Sequence, residues 1–267
     1  MSDDATILKC HGLSTGYGRG ASRHIVTSGA DCALVKGSLT AFLGANGTGK
    51  STLIRTVAGL QPAIAGYVEI AGHRVDRSRP AELARLVSIV TTGRATTAGG
   101  LTAWETVAMG RHPYTGLSGR LKDIDREMAN VAMERIGVMP LAARHVASLS
   151  DGERQKVMIA KALAQDTPVL ILDEPTAFLD AASRVETLAL LASLAHDDGR
   201  TILLSTHDIG MTLGSADNLW LLMADGDIIS GSVEQLVSDG SVGRIFSGRG
   251  VVFDETKCDF VPASLHK

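Results

Sequence analysis

Apolar positions along the chain follow two rhythms. Short unbroken runs, Leu39-Thr40-Ala41-Phe42-Leu43, Val169-Leu170-Ile171-Leu172, Thr201-Ile202-Leu203-Leu204 and Leu219-Trp220-Leu221-Leu222-Met223, have the length and character of buried strands. Ala181 to Ala195 reads as a helix between the second and third of them. Near-continuous apolar strands alternating with helices predict a parallel sheet covered on both faces. Before these, up to about Gly72, the segments Thr6-Ile7-Leu8-Lys9-Cys10 and Gly66-Tyr67-Val68-Glu69-Ile70 read as strands joined by turns. From about Thr92 to Gln165 the rhythm becomes helical. Ile124 to Gly137 spaces Met128, Val131, Ala132, Arg135 and Ile136 near one helix face, with Gly137 as the stop, and its Met and Ile side chains are expected in a core. This middle reads as a helical subdomain inserted into an α/β core.

With 267 residues and 45% apolar side chains, the chain has material for one sizeable core. Its formal net charge of -3, with both signs interspersed, leaves no basic footprint for nucleic acid, and 4% aromatic content is poor in stacking platforms. The three cysteines, Cys10, Cys32 and Cys258, are odd in number and widely spaced, which fits reduced thiols better than a disulfide framework. The acidic opening Met1-Ser2-Asp3-Asp4 lacks the order of a signal peptide. No apolar run approaches the ~20 residues that span a bilayer, so work at a membrane is expected to go through partners.

Between the first buried run and the helix-like Thr52-Leu53-Ile54-Arg55-Thr56-Val57-Ala58 lies Gly44-Ala45-Asn46-Gly47-Thr48-Gly49-Lys50-Ser51, which satisfies every fixed position of Gly-x-x-x-x-Gly-Lys-Ser/Thr. Glycines let successive N–H groups turn inward on phosphate oxygens, and the helix N-terminus adds its partial positive charge. Lys50 would reach the β- and γ-phosphates, and Ser51 would offer a hydroxyl oxygen to Mg²⁺. Downstream, the run Val169 to Leu172 ends in Asp173-Glu174-Pro175. Consecutive strand residues point to opposite faces, so the two acids are expected to do different things: Asp173 to hold Mg²⁺, Glu174 to orient the attacking water. Ahead of that strand, Leu149-Ser150-Asp151-Gly152-Glu153-Arg154-Gln155 precedes the helix-like Lys156 to Ala164. Ser150 with Glu153 three residues on also has the form of an ordinary capping box.

Together these segments resemble the ATP-binding subunits of ABC transporters, whose Leu-Ser-Gly-Gly-Gln hallmark is matched by Leu149-Ser150-Asp151-Gly152-Glu153. The resemblance also takes in Gly44 to Thr52, Leu172-Asp173-Glu174-Pro175-Thr176, Ala177-Phe178-Leu179-Asp180 and Ser205-Thr206-His207-Asp208. It implies a P-loop NTPase of ABC type: a parallel-sheet core with an antiparallel β subdomain and an inserted helical subdomain. The whole chain, 1–267, would be one ATPase domain, with about 1–91 and 166–245 as nucleotide-binding core, 92–165 as helical subdomain and 246–267 as C-terminal tail. ATP and Mg²⁺ are the implied cofactors. Tyr17 falls where the family stacks an aromatic on adenine. Gly44, Ala45, Asn46, Gly47, Thr48, Gly49, Lys50, Ser51 and Thr52 would hold the phosphates, Ser51 and Asp173 the metal. Ser150 and Gly152 would meet the nucleotide of a second copy in a head-to-tail homodimer, and Asp180 would be a further nucleotide-binding residue. Glu174, His207 and Lys50 would be catalytic.

Within that family, Leu101 to Tyr114, with Glu105, Val107, Gly110, Arg111 and Pro113 in a Glu-x-Val-x-x-Gly-Arg-x-Pro pattern, looks like the subgroup serving uptake of iron-siderophores, haem and vitamin B12. A solvated helix end at Arg111 and His112 is the alternative on these residues alone. The subgroup implies integral membrane permease subunits, an extracytoplasmic solute-binding protein acting indirectly, no nucleic acid, and a peripheral place on the cytoplasmic face of the inner membrane. A soluble ABC-type ATPase not coupled to transport, or a regulatory module that binds ATP with weak turnover, are the competing functions.

One departure stands out. The family's metal-contacting Gln at the end of the strand Leu86-Val87-Ser88-Ile89-Val90 is replaced by Thr92, and no Gln occurs between Gln61 and Gln155. A threonine hydroxyl is too short to replace that amide directly, though a water could bridge the gap. Activity is expected to survive: steady-state ATPase of Thr92→Gln should stay within about tenfold of the parent, whereas a gain of about a hundredfold, nearly ~3 kcal/mol of barrier, would mark the site as defective.

Overall fold

The computed structural model describes residues 5–18, 22, 24–91, 100–116, 119–245, 250–254 and 257–263. In chain order, β1 (Thr6–Tyr17), β2 (His24–Val35) and β3 (Leu39–Gly44) lead through a loop into α1 (Lys50–Val57), followed by β4 (Ala65–Ile70), β5 (His73–Arg74), α2 (Pro80–Leu83) and β6 (Val87–Thr91). The middle holds α3 (Ala103–Ala108), α4 (Asp123–Ile136) and α5 (Asp151–Ala164). Alternation then returns with β7 (Val169–Asp173), α6 (Ala181–His196), β8 (Thr201–Ser205), α7 (Ile209–Leu213) and β9 (Asn218–Leu222). Next come β10 (Ile228–Ser232), α8 (Val233–Ser238) and α9 (Ser241–Arg244), and a hairpin of β11 (Val251–Asp254) and β12 (Asp259–Pro262) follows.

Six strands form the main sheet in the order β10-β9-β3-β8-β7-β6, parallel throughout except where β10 pairs with β9. Four more form an antiparallel sheet, β2-β1-β4-β5. The unbroken apolar runs follow from burial on both faces. Along β7, Leu170 and Leu172 enter the core shared with α4, α5 and α6, while Val169 and Ile171 enter the one shared with α1 and the antiparallel sheet. β8 divides in the same way, Ile202 and Leu204 against Leu203. A third core lies under β3 and β9, where Ala41, Leu43, Leu219 and Leu221 meet α7, α8 and α9.

Several boundaries differ from those expected. β1 runs on past Cys10 to Tyr17, while the capping box read at Ser150 and Glu153 is present and starts α5 at Asp151. α4 is rotated relative to the expected stripe. Asp125, Ala129, Ala132, Met133 and Ile136 are buried, whereas Met128 is half-buried and Val131 is 52% exposed. An ion pair lies on this buried face. Arg111 Nε donates to Asp125 Oδ1 at 3.1 Å, with both side chains buried, and Asp125 Oδ2 accepts from Lys122 N at 3.0 Å. These donors hold the Asp125 carboxyl below the usual range, the Lys122 N–H foremost. Arg111 also donates through Nη1 to Ala164 O at 2.8 Å, and its guanidinium lies 4.0 Å from the Tyr114 ring centroid. Of the pair read as a possible solvated end, only His112 is exposed.

Cys10 and Cys32, distant in sequence, are register partners across β1 and β2 and both buried, while Cys258 is exposed. The Cys10 contact and burial push the Cys32 thiol well up. Residues 251–262 of the tail contain the β11–β12 hairpin, with Phe253 and Phe260 rings 5.3 Å apart. Thr92 lies outside the described residues. Among those residues, no helix is long and apolar enough to cross a membrane.

Removing one partner of a buried ion pair leaves the other charge uncompensated, at a cost of about 3–5 kcal/mol. Asp125→Ala should therefore lower the urea midpoint by that equivalent with the m-value unchanged, as read by circular dichroism.

Candidate functional site

β3 ends at Gly44, where a Cβ would stand 3.1 Å from Leu222 Cβ on the neighbouring strand β9. The loop that follows is closed by Thr48 Oγ1, which donates to Ala45 O at 2.7 Å. Gly47 has φ +79 with open space where a side chain would be. Gly49 has φ +103 and a Cβ there would lie 2.0 Å from Val26 Cγ1, so only glycine lets the loop pass under β2. α1 then starts at Lys50 without a side-chain cap and without an acidic residue in its first turn. An uncapped N-terminus behind such a loop leaves N–H groups and a favourable dipole for an anion.

Lys50 is buried, and its Nζ donates to Gly44 O at 2.8 Å and Ala45 O at 3.2 Å. Burial lowers the ammonium pKa, while Glu174 and then Asp173 pull it back up, so both acids lie within its electrostatic reach. Ser51 follows it, exposed at the helix start.

The two acids are arranged around Ser205, at the end of β8. Its hydroxyl donates to Asp173 Oδ1 at 2.6 Å and accepts from Glu174 N at 2.9 Å, and Glu174 N also approaches Ser205 O at 3.1 Å. Asp173 is the last residue of β7 and is buried. Glu174 does not continue the strand. Its φ of +51 turns the chain out of the sheet, so the divergence of the acids comes from a left-handed bend rather than from the expected strand alternation. His207 Nδ1 stands 3.8 Å from Glu174 Oε2.

Tyr17, at the end of β1, is 58% exposed, and its ring lies 5.0 Å from that of its register partner His24. His24 and Val26 belong to the same strand, so β2 connects the Tyr17 surface to the loop at Gly49.

Ser150 caps α5: its Oγ accepts from Glu153 N at 3.2 Å, while Ser150 N donates to Glu153 Oε2 at 2.9 Å. Arg144 Nη1 reaches the same carboxylate at 2.8 Å, and Asp151 pairs with Arg154. A Cβ on Gly152 would meet Ser183 Oγ at 3.4 Å, and Lys156 Nζ reaches Glu186 at 2.8 Å, so α5 is seated on α6. Asp180 caps α6 by accepting from Ser183 N at 2.8 Å, a bond that keeps its carboxyl below the usual range. Lys50, Asp173 and Glu174 are thus brought together, with Asn46, Ser51 and Thr52 on the same loop and helix. Among the described residues, no hydrogen bond or ion pair joins Ser150 or Gly152 to 44–52 or to 173–174.

Ser205 is the functional residue to which sequence reasoning gave no role. The available signal was an apolar strand ending in a hydroxyl beside a parallel strand ending in an acid. No group of three or more His, Cys, Asp or Glu side chains among the described residues is placed to hold a metal. The oxygen set of Ser51 and Asp173 instead suits a hard divalent cation that takes its remaining ligands from phosphate and water.

A family model described as ABC transporter matches residues 28–177. The ferric enterobactin transport ATP-binding protein of Escherichia coli is 32% identical over 96% of this chain and 92% of its own. The iron(3+)-hydroxamate import ATP-binding protein of Bacillus subtilis is 38% identical over 76% of this chain and 73% of its own. For the cobalamin import ATP-binding protein of Halobacterium salinarum the figures are 38%, 81% and 54%. Among solved structures, cbiO1 of Clostridium perfringens, part of an ABC transporter complex, superposes with TM-score 0.77 at 28% identity, covering 92% of this chain and 96% of that one. The ADP conformation of an ATP-binding cassette of an ABC transporter gives 0.78 at 24%, covering 91% and 99%, a likeness of fold.

Ser205→Ala should leave Asp173 without its donor and Glu174 N with one acceptor fewer, costing about 1–2 kcal/mol of stability. Steady-state nucleoside triphosphate hydrolysis should fall about tenfold as the two acids lose their common anchor.

Proposed function

The chain belongs to the ABC transporter family and is an ATPase of it, and we propose that its ATP hydrolysis powers import of an iron-chelate, haem or cobalamin-like solute through a separate membrane permease. What carries this reading is the convergence of a buried lysine, a phosphate-loop helix start and a carboxylate pair at one edge of the sheet, in a chain whose named relatives serve such imports.

In this reading the backbone of Gly44 to Lys50 and the N-terminus of α1 cradle the phosphates, and Lys50 exchanges its carbonyl partners for β- and γ-phosphate oxygens. Tyr17 stacks on adenine. Ser51 and Asp173 hold Mg²⁺, which when bound neutralises charge on the β- and γ-phosphates. Glu174 orients the attacking water, and His207 holds the γ-phosphate from the neighbouring strand end. Catalysis is then positioning plus charge matching by fixed donors.

The site of one copy is completed by Ser150, Gly152 and Asp180 of a second copy in a homodimer. Consistent with this, among the described residues no hydrogen bond or ion pair joins Ser150 or Gly152 to the phosphate loop of their own chain, and Ser150 bonds with Glu153. ATP binding favours the closed dimer, and hydrolysis with release reopens it. The dimer acts through permease subunits at the cytoplasmic face of the membrane, with an extracytoplasmic binding protein delivering the solute.

Glu174→Gln should lower turnover at least about a hundredfold while ATP drives the protein into a stable dimer on size-exclusion chromatography. Undiminished turnover would remove Glu174 from its role. Tagged protein recovered from solubilised membranes should bring down a multi-span permease. Reproducible, ATP-dependent recovery of soluble partners alone would overturn the transport reading.

A further inference from the structure

Two loops of the site, Ala177–Asp180 and Ser205–Asp208, are joined by a side chain that the motifs do not mention. Arg184, in the first turns of α6, donates from Nε to Leu179 O at 2.9 Å, and its Nη1 lies 3.3 Å from both Asp208 Oδ1 and Oδ2. Leu179 directly precedes Asp180, and Asp208 directly follows His207. The Arg184 side chain is 32% exposed and that of Asp208 18%, so neither is a freely solvated surface residue.

The imidazole of His207 needs outside support. Its approach to Glu174, 3.8 Å, is longer than a hydrogen bond, and among the described residues its ring makes no other polar contact. Its placement therefore depends on the backbone of its own loop. That backbone is held mainly at Asp208: Asp208 N donates to Thr206 Oγ1 at 3.0 Å, its carbonyl accepts from Thr212 Oγ1, and its side chain goes to Arg184. A guanidinium is a planar fork that serves two acceptors at a fixed angle, whereas an ammonium is a point charge on a flexible stem. Arg184 can thus set the spacing between the two loops, not merely neutralise an acid.

We propose that Arg184 is a positioning residue for ATP hydrolysis: by clasping Leu179 O and the Asp208 carboxylate together, it fixes His207 and Asp180 relative to one another without touching the nucleotide. This rests on the reading above, in which His207 and Glu174 act on the γ-phosphate and its water. The effect belongs in kcat, because the phosphate loop and Tyr17 bind nucleotide independently of the clasp.

Purified full-length protein carrying Arg184→Ala, Arg184→Lys, Asp208→Asn or Arg184→Ala with Asp208→Asn is assayed for ATPase beside the parent and Glu174→Gln. Arg184→Ala should lower kcat about 10- to 100-fold, as expected of a small misplacement, with KM for ATP changed less than about threefold. Asp208→Asn should show a comparable fall, and the double variant should be no worse than the worse single one, because both act through one contact. Arg184→Lys keeps the charge and the fold and should still fall at least about fivefold, so it decides the matter if the alanine variant is unstable. Wild-type kcat in Arg184→Lys and Arg184→Ala, or additive losses in the double variant, would overturn the proposal. If Glu174→Gln hydrolyses ATP like the parent, it is the underlying reading that fails. If Glu174→Gln is inactive and the Arg184 variants are not, the clasp alone is refuted.

Discussion

The alignment of three parallel strand ends governs everything at the site. Ser205 on β8 is the register partner of Phe42 on β3 and of Asp173 on β7, so the carboxylates and the histidine loop leave the sheet side by side, with β3 running two residues further before the phosphate loop begins at Gly44. Parallel strands share a carboxyl edge, and helices follow each of them, which is why ligands of open α/β sheets gather there. A slip of one residue in β7 would send Asp173 to the opposite face, away from α1, because side chains alternate with period two. The apolar residues on both faces of β7 and β8 resist such a slip, since it would exchange the Leu170 and Leu172 core for that of Val169 and Ile171.

Around that edge, separate pieces of the chain are fastened by small contacts of high specificity. The antiparallel sheet reaches the phosphate loop through Val26, against which a glycine at 49 is obligatory. The helical middle reaches α6 through Gly152 on Ser183 and through the Lys156–Glu186 pair, and is anchored internally by the buried pair of Arg111 and Asp125. The Lys156–Glu186 pair, with Glu186 exposed, contributes little energy by itself.

Much of this was legible in the residues. The strand runs read true because burial on two faces makes a pattern that needs no partner to interpret. The phosphate loop was legible for a different reason: its residue types and spacing are set by the phosphate chemistry they serve, even though Gly44 and Gly49 also answer to Leu222 and Val26. Where sequence reasoning went astray, the deciding partner was distant. The buried face of α4 includes Asp125, which looks like a surface residue until Arg111, fourteen positions earlier, is seen to pair with it. Ser205 gains its meaning only when β8 lies beside β7. The pairing of Cys10 with Cys32 likewise depends on the register of two strands, and a β11–β12 hairpin held by two phenylalanines left no strong periodic signal in so short a span.

Glu174 occupies a conformation that suits glycine, with φ at +51 in a residue bearing a full side chain. Such a backbone costs on the order of 1 kcal/mol or more, and the neighbouring hydrogen bonds from its N–H to Ser205 are what hold it in place. Pressure for a more stable protein would favour replacing this residue, since glycine would relax the bend and keep both backbone bonds. With the role proposed for its carboxylate, stability and activity pull in opposite directions at this position. Consensus-style stabilisation of the chain would therefore have to leave this strained acidic residue untouched.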